Sequence, residues 1–406
     1  MKYTSDFFDQ IIDRKDTYCA KYDSMYQFFG SDQELIDSLI PMWIADTEFR
    51  SPVELTEAVS RRVQNGAFGY GMLSGNKFRP CVRAWHQRRN HIDYDEDDIF
   101  IRRSTLTPLA CAVEALSKHG EKICTLTPTY GHFHQIVKEM GRVPVHVHLT
   151  HDGERYAMDY NALEQTLAAG NIKLMIFCNP HNPTGRVWSK NELCRLVRIC
   201  REHRVPILSD EIHSDIIMPG HTFTPLMRVA RALGYEDGVM VTSCTSKTFN
   251  TAGMNVGYYI CHGERLKQLM AAAEERMQES DPVSAFSYIT LEQCYGHGDS
   301  YVDTMCSYVN ANYQLLLQAL DALPYRSKIM VAPLEGTYLV WIQLLDSGLE
   351  NRPATLHFVQ YGLALEAGDQ FYEDEGTFLR LNLAAPKSVI EEAVRRLLHG
   401  LDEIYR

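Results

Sequence analysis

Between residues 108 and 243 the chain alternates short apolar runs with amphipathic stretches, and that alternation restricts the fold more than any other feature. "PLACAVEALSKHG" predicts a helix closed by Gly120. "KICTLTP" then predicts a strand, "YGHFHQIVKEMG" a helix, "VPVHVHL" a strand, and "DYNALEQTLAAG" a helix entered through Asp159. "IKLMIFCNP" predicts a strand and "SKNELCRLVRICREH" a helix capped by Ser189. "VPILSD" and "GVMVTSC" predict two more strands. Strands that take turns with helices pair mostly in parallel, because each helix carries the chain back to the edge where it started. A sheet of that kind binds ligands beyond the C-terminal ends of its strands.

The flanks have a different character. "LIPMWIADTEFRSP" predicts a short strand and a turn, and "VELTEAVSRRVQN" and "FRPCVRAWHQRRN" predict helices. From about residue 290 come a long helical pattern, then "EGTYLVWIQL", "FLRLNLAAP" and a final amphipathic helix, which predict a smaller α+β unit. The expected organisation is an arm over residues 1–45 that joins the small unit, a large domain over 46–290 and a small C-terminal domain over 291–406. A chain of 406 residues with 45% hydrophobic content has enough apolar side chains for two such cores.

Charge and composition exclude several roles. A net charge of −12 argues against nucleic acid or an anionic membrane as the main partner. No window is apolar for long enough to span a bilayer, and "MKYTSDFFDQIIDRKD" lacks the apolar core of a secretory signal. The 11 cysteines form no C-x-x-C pair, and several, such as Cys124 and Cys178, lie inside apolar runs. They read as buried free thiols in a reducing compartment, so a cytoplasmic location is expected. His146 and His148 share a strand face, and His132 and His134 lie near a turn. With no cysteine or carboxylate set beside them, no metal is expected. "GYGMLSG" follows a helical pattern and not a strand, which sets aside a dinucleotide site.

Polar residues stand at the ends of the predicted strands. Asn182, in "FCNPHNPTG", offers an amide that can donate to an oxyanion, or else belongs to an ordinary turn. Asp210 ends an apolar run, a costly place for a carboxylate without a cation, unless it caps a helix. Lys247, in "SCTSKTFNTAGMN", follows "GVMVT" and stands 37 positions after Asp210. Such a lysine either extends its ammonium to water or is neutralised as a Schiff base with a carbonyl cofactor. An anion, a cation and an amide at neighbouring strand ends match what pyridoxal phosphate needs. The lysine holds the aldehyde, the aspartate keeps the pyridine nitrogen protonated, and the amide bonds the ring hydroxyl oxygen. Tyr130, in "TPTYGHF", offers a flat ring for stacking.

"PMWIADTEF", "FGYG", "NPHNPTGRVW", "SDEIH", "SKTFNTAGM", "EGTYLVWI" and "RLNLAAP" occur in that order. Together they resemble the cystathionine/cysteine β-lyase (cystalysin-like) branch of the fold-type I pyridoxal phosphate enzymes, the aspartate aminotransferase superfamily. The resemblance covers nearly the whole chain. It implies an α/β fold: a large domain with a mostly parallel, seven-stranded-type sheet flanked by helices, plus a smaller α+β C-terminal domain. It implies pyridoxal 5'-phosphate as cofactor and a small amino acid as substrate. Lys247 is then the Schiff-base lysine and the acid/base at the substrate Cα, and Asp210 pairs with the pyridine nitrogen. Asn182 and His213 lie on the ring-hydroxyl side; aminotransferases usually have Tyr where this chain has His213. Tyr130 stacks on the ring, and Arg380 clamps the α-carboxylate with its bidentate fork. Thr105, Leu106, Cys244 and Ser246 complete the cofactor set, and Ala45 and Tyr338 join Asn182 and Arg380 at the substrate. Tyr70, in "FGYG", reaches the cofactor phosphate in the partner subunit, which requires a homodimer with shared active sites.

The departures cluster at the phosphate. "RSTLTPL" replaces the branch's usual Pro-Gly-Val-Val, and Thr105 stands where the glycine would be. Threonine cannot take φ > 0 as cheaply, though its hydroxyl and that of Ser104 can donate to phosphate. Cys244, a poor donor, replaces a frequent serine, and Asn255 stands where many aminotransferases carry arginine, which fits the lyase branch. The reaction implied is α,β-elimination. Lys247 removes the Cα proton, a β-thiolate leaves, and hydrolysis yields pyruvate and ammonia from L-cystathionine or a cysteine S-conjugate. Two alternatives use the same residues or the same fold: an aminotransferase, and a binding or regulatory protein with weak catalysis.

Overall fold

The computed structural model describes residues 2–71, 77–152, 155–279, 283–373 and 375–406. In chain order its strands are β1 (Ile40–Pro41), β2 (Ile99–Arg102), β3 (Lys122–Thr127), β4 (Val143–His151), β5 (Tyr156–Met158), β6 (Ile172–Cys178) and β7 (Ile207–Asp210). They continue with β8 (Val239–Ser243), β9 (Gly257–Cys261), β10 (Ile329–Val331), β11 (Leu339–Leu344), β12 (Leu363–Ala364), β13 (Glu366–Ala367) and β14 (Phe378–Asn382). Eight of them form one sheet in the order β2-β9-β8-β7-β6-β3-β4-β5. The run β8-β7-β6-β3-β4 is parallel; β9 and β5 are antiparallel to it, and β2, antiparallel to β9, again runs with it. The mostly parallel sheet expected from the alternation is present, and the three-residue β5 adds an eighth strand at its edge.

Every residue of β7, β8 and β9 is buried, and in β6 all but Lys173, as continuous apolar runs covered on both faces require. Alternate side chains feed two cores. Leu174, Ile176, Leu208 and Met240 pack under helices Leu106–Leu116 and Glu264–Arg276. Met175, Phe177, Ile207 and Val241 face the other side, under helices Tyr160–Ala168 and Lys190–Glu202. The chain leaves β3 for β4 in one direction and runs β6-β7-β8 in the other. The order therefore reverses between β3 and β6, where such sheets open a crevice. Tyr130 follows β3, Asn182 follows β6, Asp210 ends β7 and Lys247 follows β8.

The C-terminal part carries an antiparallel sheet, β10-β11-β14-β13, with helices Asn351–Val359 and Lys387–Tyr405. The N-terminal arm reaches it through β1, which pairs with β12 in parallel. Residue 290 falls inside helix Ala285–His297, which packs on helices Val53–Gln64 and Phe78–Asn90. No described helix is long and apolar enough to cross a membrane.

Two local expectations change. The helix after β2 starts at Leu106 and ends at Leu116, so Gly120 does not close it. Ser117 turns extended (φ −140°), its hydroxyl bonds the Val113 carbonyl, and Gly120 instead makes the turn into β3 at φ +81°. Lys247 does not end its strand. It lies in the single helical turn Ser246–Phe249 beyond β8.

Candidate active site

Beyond the strand ends lies a cavity of about 230 Å³. Ten expected residues line it: Ala45, Thr105, Leu106, Tyr130, Asn182, Asp210, His213, Cys244, Ser246 and Lys247. Lys247 donates to the Ala45 carbonyl at 2.7 Å and has no ion pair among the described residues. Burial pushes its pKa down, against the charges of Cys244, Asp46 and Asp210. A buried amine bonded only to a carbonyl is favoured in its neutral form. Asp210 accepts one backbone N–H, from Ile212 at 3.1 Å. Burial pushes its carboxyl up to about 7, although the Ile212 N–H and the charge of Lys247 pull the other way.

His213 is pushed down to about 3 by burial and by the charges of Lys247 and Arg380, so its ring is neutral. Its Nδ1 is buried without a hydrogen-bond partner. Arg380, on β14, donates through Nη1 to Asn182 Oδ1 at 3.1 Å and through Nη2 to the Trp43 carbonyl at 2.7 Å. That bond commits the Asn182 carbonyl, which leaves its NH₂ to donate elsewhere. Arg380 Nε is buried and unpartnered, and the guanidinium lies 4.6 Å over the Phe371 ring. Arg380 does not line the first cavity. It lines an adjoining one that shares Tyr130. Tyr130 precedes helix Gly131–Glu139 and stacks on His132 with ring centroids 4.8 Å apart; burial pushes its phenol up to about 12.

Tyr338 stands behind the cavity wall, donating to the same Ala45 carbonyl at 3.0 Å. Thr105 has φ −78° and ψ −21°, in the right-handed region, so this segment needs no glycine conformation. The penalty expected from the missing glycine does not arise. The close approach falls instead at Gly257, where a Cβ would meet the Ser104 carbonyl carbon at 2.6 Å. Ser104 Oγ accepts the Thr107 N–H at 3.2 Å, and Cys244 Sγ lies 2.7 Å from Ser246 Oγ. Tyr70 is fully exposed and outside the cavity, on a groove whose Arg103 and Asn255 also line it. Residues 72–75 of "GYGMLSG" lie outside the described residues. His134 Nδ1 lies 3.0 Å from His146 Nε2, and no metal-holding group of three or more His, Cys, Asp or Glu occurs among the described residues.

Several supporting residues escaped the sequence reading. Arg186, 1% exposed, pairs with Glu335 and Glu192, each at 2.5 Å, and Glu335 also accepts the Val187 N–H. This cluster locks "EGTYLVWI" onto the turn that carries Asn182. Lys21, also 1% exposed, pairs with Asp46 and Glu48 at 3.2 and 2.6 Å, and Arg14 pairs with both carboxylates. That cluster fixes the loop beside Ala45. Asp215 takes the Trp85 indole N–H at 2.9 Å and the Thr248 hydroxyl at 3.1 Å, next to Lys247. Glu366 lies 3.6 Å from Arg380. Of these residues only Glu366, in "LALEA", carries the local signal of a charge inside an apolar run.

The side chains present fit pyridoxal 5'-phosphate. A buried amine lacks an anion, a buried carboxyl lacks a cation beyond that amine, and a neutral imidazole nitrogen is unpartnered. Known proteins place the same chain in context. Cystathionine β-lyase PatB of Bacillus subtilis (strain 168) is 30% identical over 97% of this chain and 99% of its own. Protein MalY of Escherichia coli (strain K12) is 26% identical over 97% of this chain and 98% of its own. The structure of cystalysin from Treponema denticola, which contains a pyridoxal 5'-phosphate cofactor, matches with a TM-score of 0.91 at 28% identity, covering 98% of each chain. The model of the family described as aminotransferase class I and II matches residues 46–397, and the chain belongs to that family.

Proposed function

We propose that this protein is a pyridoxal 5'-phosphate-dependent carbon–sulfur β-lyase that converts L-cystathionine or a related cysteine S-conjugate to pyruvate, ammonia and a thiol. The observation that carries the reading is Lys247, a buried amine in one cavity with Asp210, in a chain similar end to end to proteins named β-lyases. Bound pyridoxal phosphate supplies the electron sink that acidifies the substrate Cα–H.

The chain's own residues do the rest. Lys247, whose pKa burial lowers, would hold the cofactor and take the Cα proton. Asp210 would face the ring nitrogen, whose positive charge would favour the ionised carboxylate. Asn182, through its NH₂, and His213 would hold the ring hydroxyl oxygen, and Tyr130 would pack on the ring face. Arg380 orients the substrate by its carboxylate, with its own orientation set by Asn182 and the Trp43 carbonyl. Thr105, Leu106, Cys244 and Ser246 form the phosphate end. Ala45 and Tyr338 bound the substrate. Tyr70, exposed in one chain, serves the partner subunit's site in a homodimer. The division into 1–45, 46–290 and 291–406 belongs to the same proposal. None of the eleven cysteines is in a disulfide, which supports a reducing compartment such as the cytoplasm.

The test is pyruvate release from L-cystathionine with added pyridoxal phosphate and no 2-oxo acid. Steady multiple turnover is expected from the parent, with a loss of about 10²–10⁴-fold in Lys247→Ala. Turnover only when a 2-oxo acid is supplied would move the function to transamination. A protein that gains no cofactor absorbance would move it to a binding role.

A further inference from the structure

The cavity that adjoins the lysine pocket measures about 340 Å³ and is walled in part by Tyr130, Arg380, Glu366, Asp369, Gln370 and Tyr372. Tyr130 belongs to both cavities, so the two meet at its ring. A molecule that reaches Lys247 and Arg380 together spans the two cavities at Tyr130.

Its electrostatics are one-sided. Glu366 is the Cα partner of Arg380 across the β13–β14 ladder, which puts both side chains on one face of the sheet. The two stand 3.6 Å apart, an ion pair without a hydrogen bond. Asp369 Oδ1 is buried with no hydrogen-bond partner. Arg380 itself is 3% exposed, and its Nε is also unpartnered. Burial pushes the Glu366 carboxyl up and the charge of Asp369 adds to this, while the charges of Arg380 and, less strongly, Arg352 oppose it. His132, also in the wall, is pushed down by burial and adds no positive charge near neutral pH. The cavity thus holds two carboxylates and a single cation, and that cation is the one the substrate α-carboxylate takes.

We propose that this cavity receives the distal end of the substrate's sulfur substituent and selects an end that carries an ammonium group, through Glu366 and Asp369. The proposal rests on the β-lyase reading for the identity of the reaction, and on the cavity alone for the selectivity. Once the substrate carboxylate engages Arg380, Glu366 keeps only the weaker influence of Arg352, which does not line the cavity. A cationic substituent restores the counter-charge; a neutral one leaves a partly buried carboxylate uncompensated, and an anionic one adds repulsion.

Three probes differ in that end: S-(2-aminoethyl)-L-cysteine, S-propyl-L-cysteine and S-carboxymethyl-L-cysteine. In the cofactor-loaded protein, kcat/KM for pyruvate release should favour the aminoethyl over the propyl compound by about tenfold, with the carboxymethyl compound last. Glu366→Gln should cut the aminoethyl-to-propyl ratio by about tenfold, mainly through KM, and Asp369→Asn by less. Spectral titration of cofactor-loaded Lys247→Ala gives dissociation constants for the same compounds without turnover. An aminoethyl preference there, lost in the Lys247→Ala/Glu366→Gln double variant, supports the subsite even if no compound yields pyruvate and the lyase reading falls. Equal affinities for the three compounds, or a preference unchanged by both carboxylate variants, overturn the subsite even where pyruvate is released.

Discussion

Asp46 and Asp210 are aspartates within electrostatic reach of the same Lys247, and the protein moves them in opposite directions. Burial tends to raise both. At Asp46 the charges and hydrogen bonds of Lys21 and Arg14 more than offset it, and the carboxyl is held below its ordinary value. At Asp210 one backbone N–H and the more distant Lys247 do not, and the carboxyl rises to about 7. The arm cluster is closed on itself: Lys21, Arg14, Asp46, Glu48 and the Tyr22 hydroxyl satisfy one another. The Arg186–Glu335–Glu192 cluster is another of the same kind. The lysine pocket and the cavity beside it are open: Lys247 has only a carbonyl, His213 Nδ1 has no hydrogen-bond partner, and next door Arg380 Nε has none either. Buried charges that carry their counter-charges hold the architecture together. Those left without them are held ready for a ligand, at a cost to the ligand-free fold.

The sharpest way to break this contrast is to replace a lysine by methionine on each side. Lys21→Met leaves Arg14 as the single cation against Asp46 and Glu48 and should cost roughly 3 kcal/mol in urea unfolding. Lys247→Met, in cofactor-free protein, should be as stable as the parent or more so, because a buried amine is replaced by an apolar chain of similar length. Similar losses in both would erase the distinction.

Asp210→Asn should show a smaller, pH-dependent effect in cofactor-free protein. The folded pKa of Asp210, about 7, lies above its unfolded value, so between about pH 4 and 7 the folded chain binds the extra proton. The parent is therefore most stable at the acid end of that window and loses stability as pH rises through 7. Relative to the parent, Asp210→Asn should gain on the order of 3 kcal/mol between pH 5 and pH 8 in denaturant titrations. A pH-independent difference would mean that Asp210 is paired after all.

Arg380→Lys keeps the charge and removes the fork. It should lower kcat/KM for amino-acid substrates roughly 10–100-fold while cofactor absorbance is retained. The smallest effect is expected at Thr105. Its φ is already −78°, so Thr105→Gly should not tighten cofactor binding in a fluorescence titration, and should cost about 0.5–1 kcal/mol of stability.

The parts of the site that were legible in the chain sit directly after strands. Tyr130, Asn182, Asp210 and Lys247 each follow an apolar run, and a sheet of alternating strands and helices brings such positions together whatever the details of its packing. Two local inferences failed because a neighbour changed the backbone. Ser117 bonded its own helix and ended it before Gly120, and Thr105 took right-handed backbone just before the helix at Leu106, where a glycine turn had been expected. Glu366, Asp215 and the Arg186–Glu335 pair were not legible. Arg186 and Glu335 stand 149 positions apart, and nothing near either residue names the other.

Hydrophobic period, turn residues and caps are properties of neighbouring residues, and they were enough to place the five parallel strands β3, β4, β6, β7 and β8, most of the longer helices and the polar positions at the strand ends, but not β2, β5 or β9. Whether a buried charge finds its opposite is not such a property. It depends on which distant segments enclose it and how much water they exclude. Asp46 and Asp210 look alike in the chain; only the arm that folds back to cover one of them makes the first a strut and leaves the second open to a ligand.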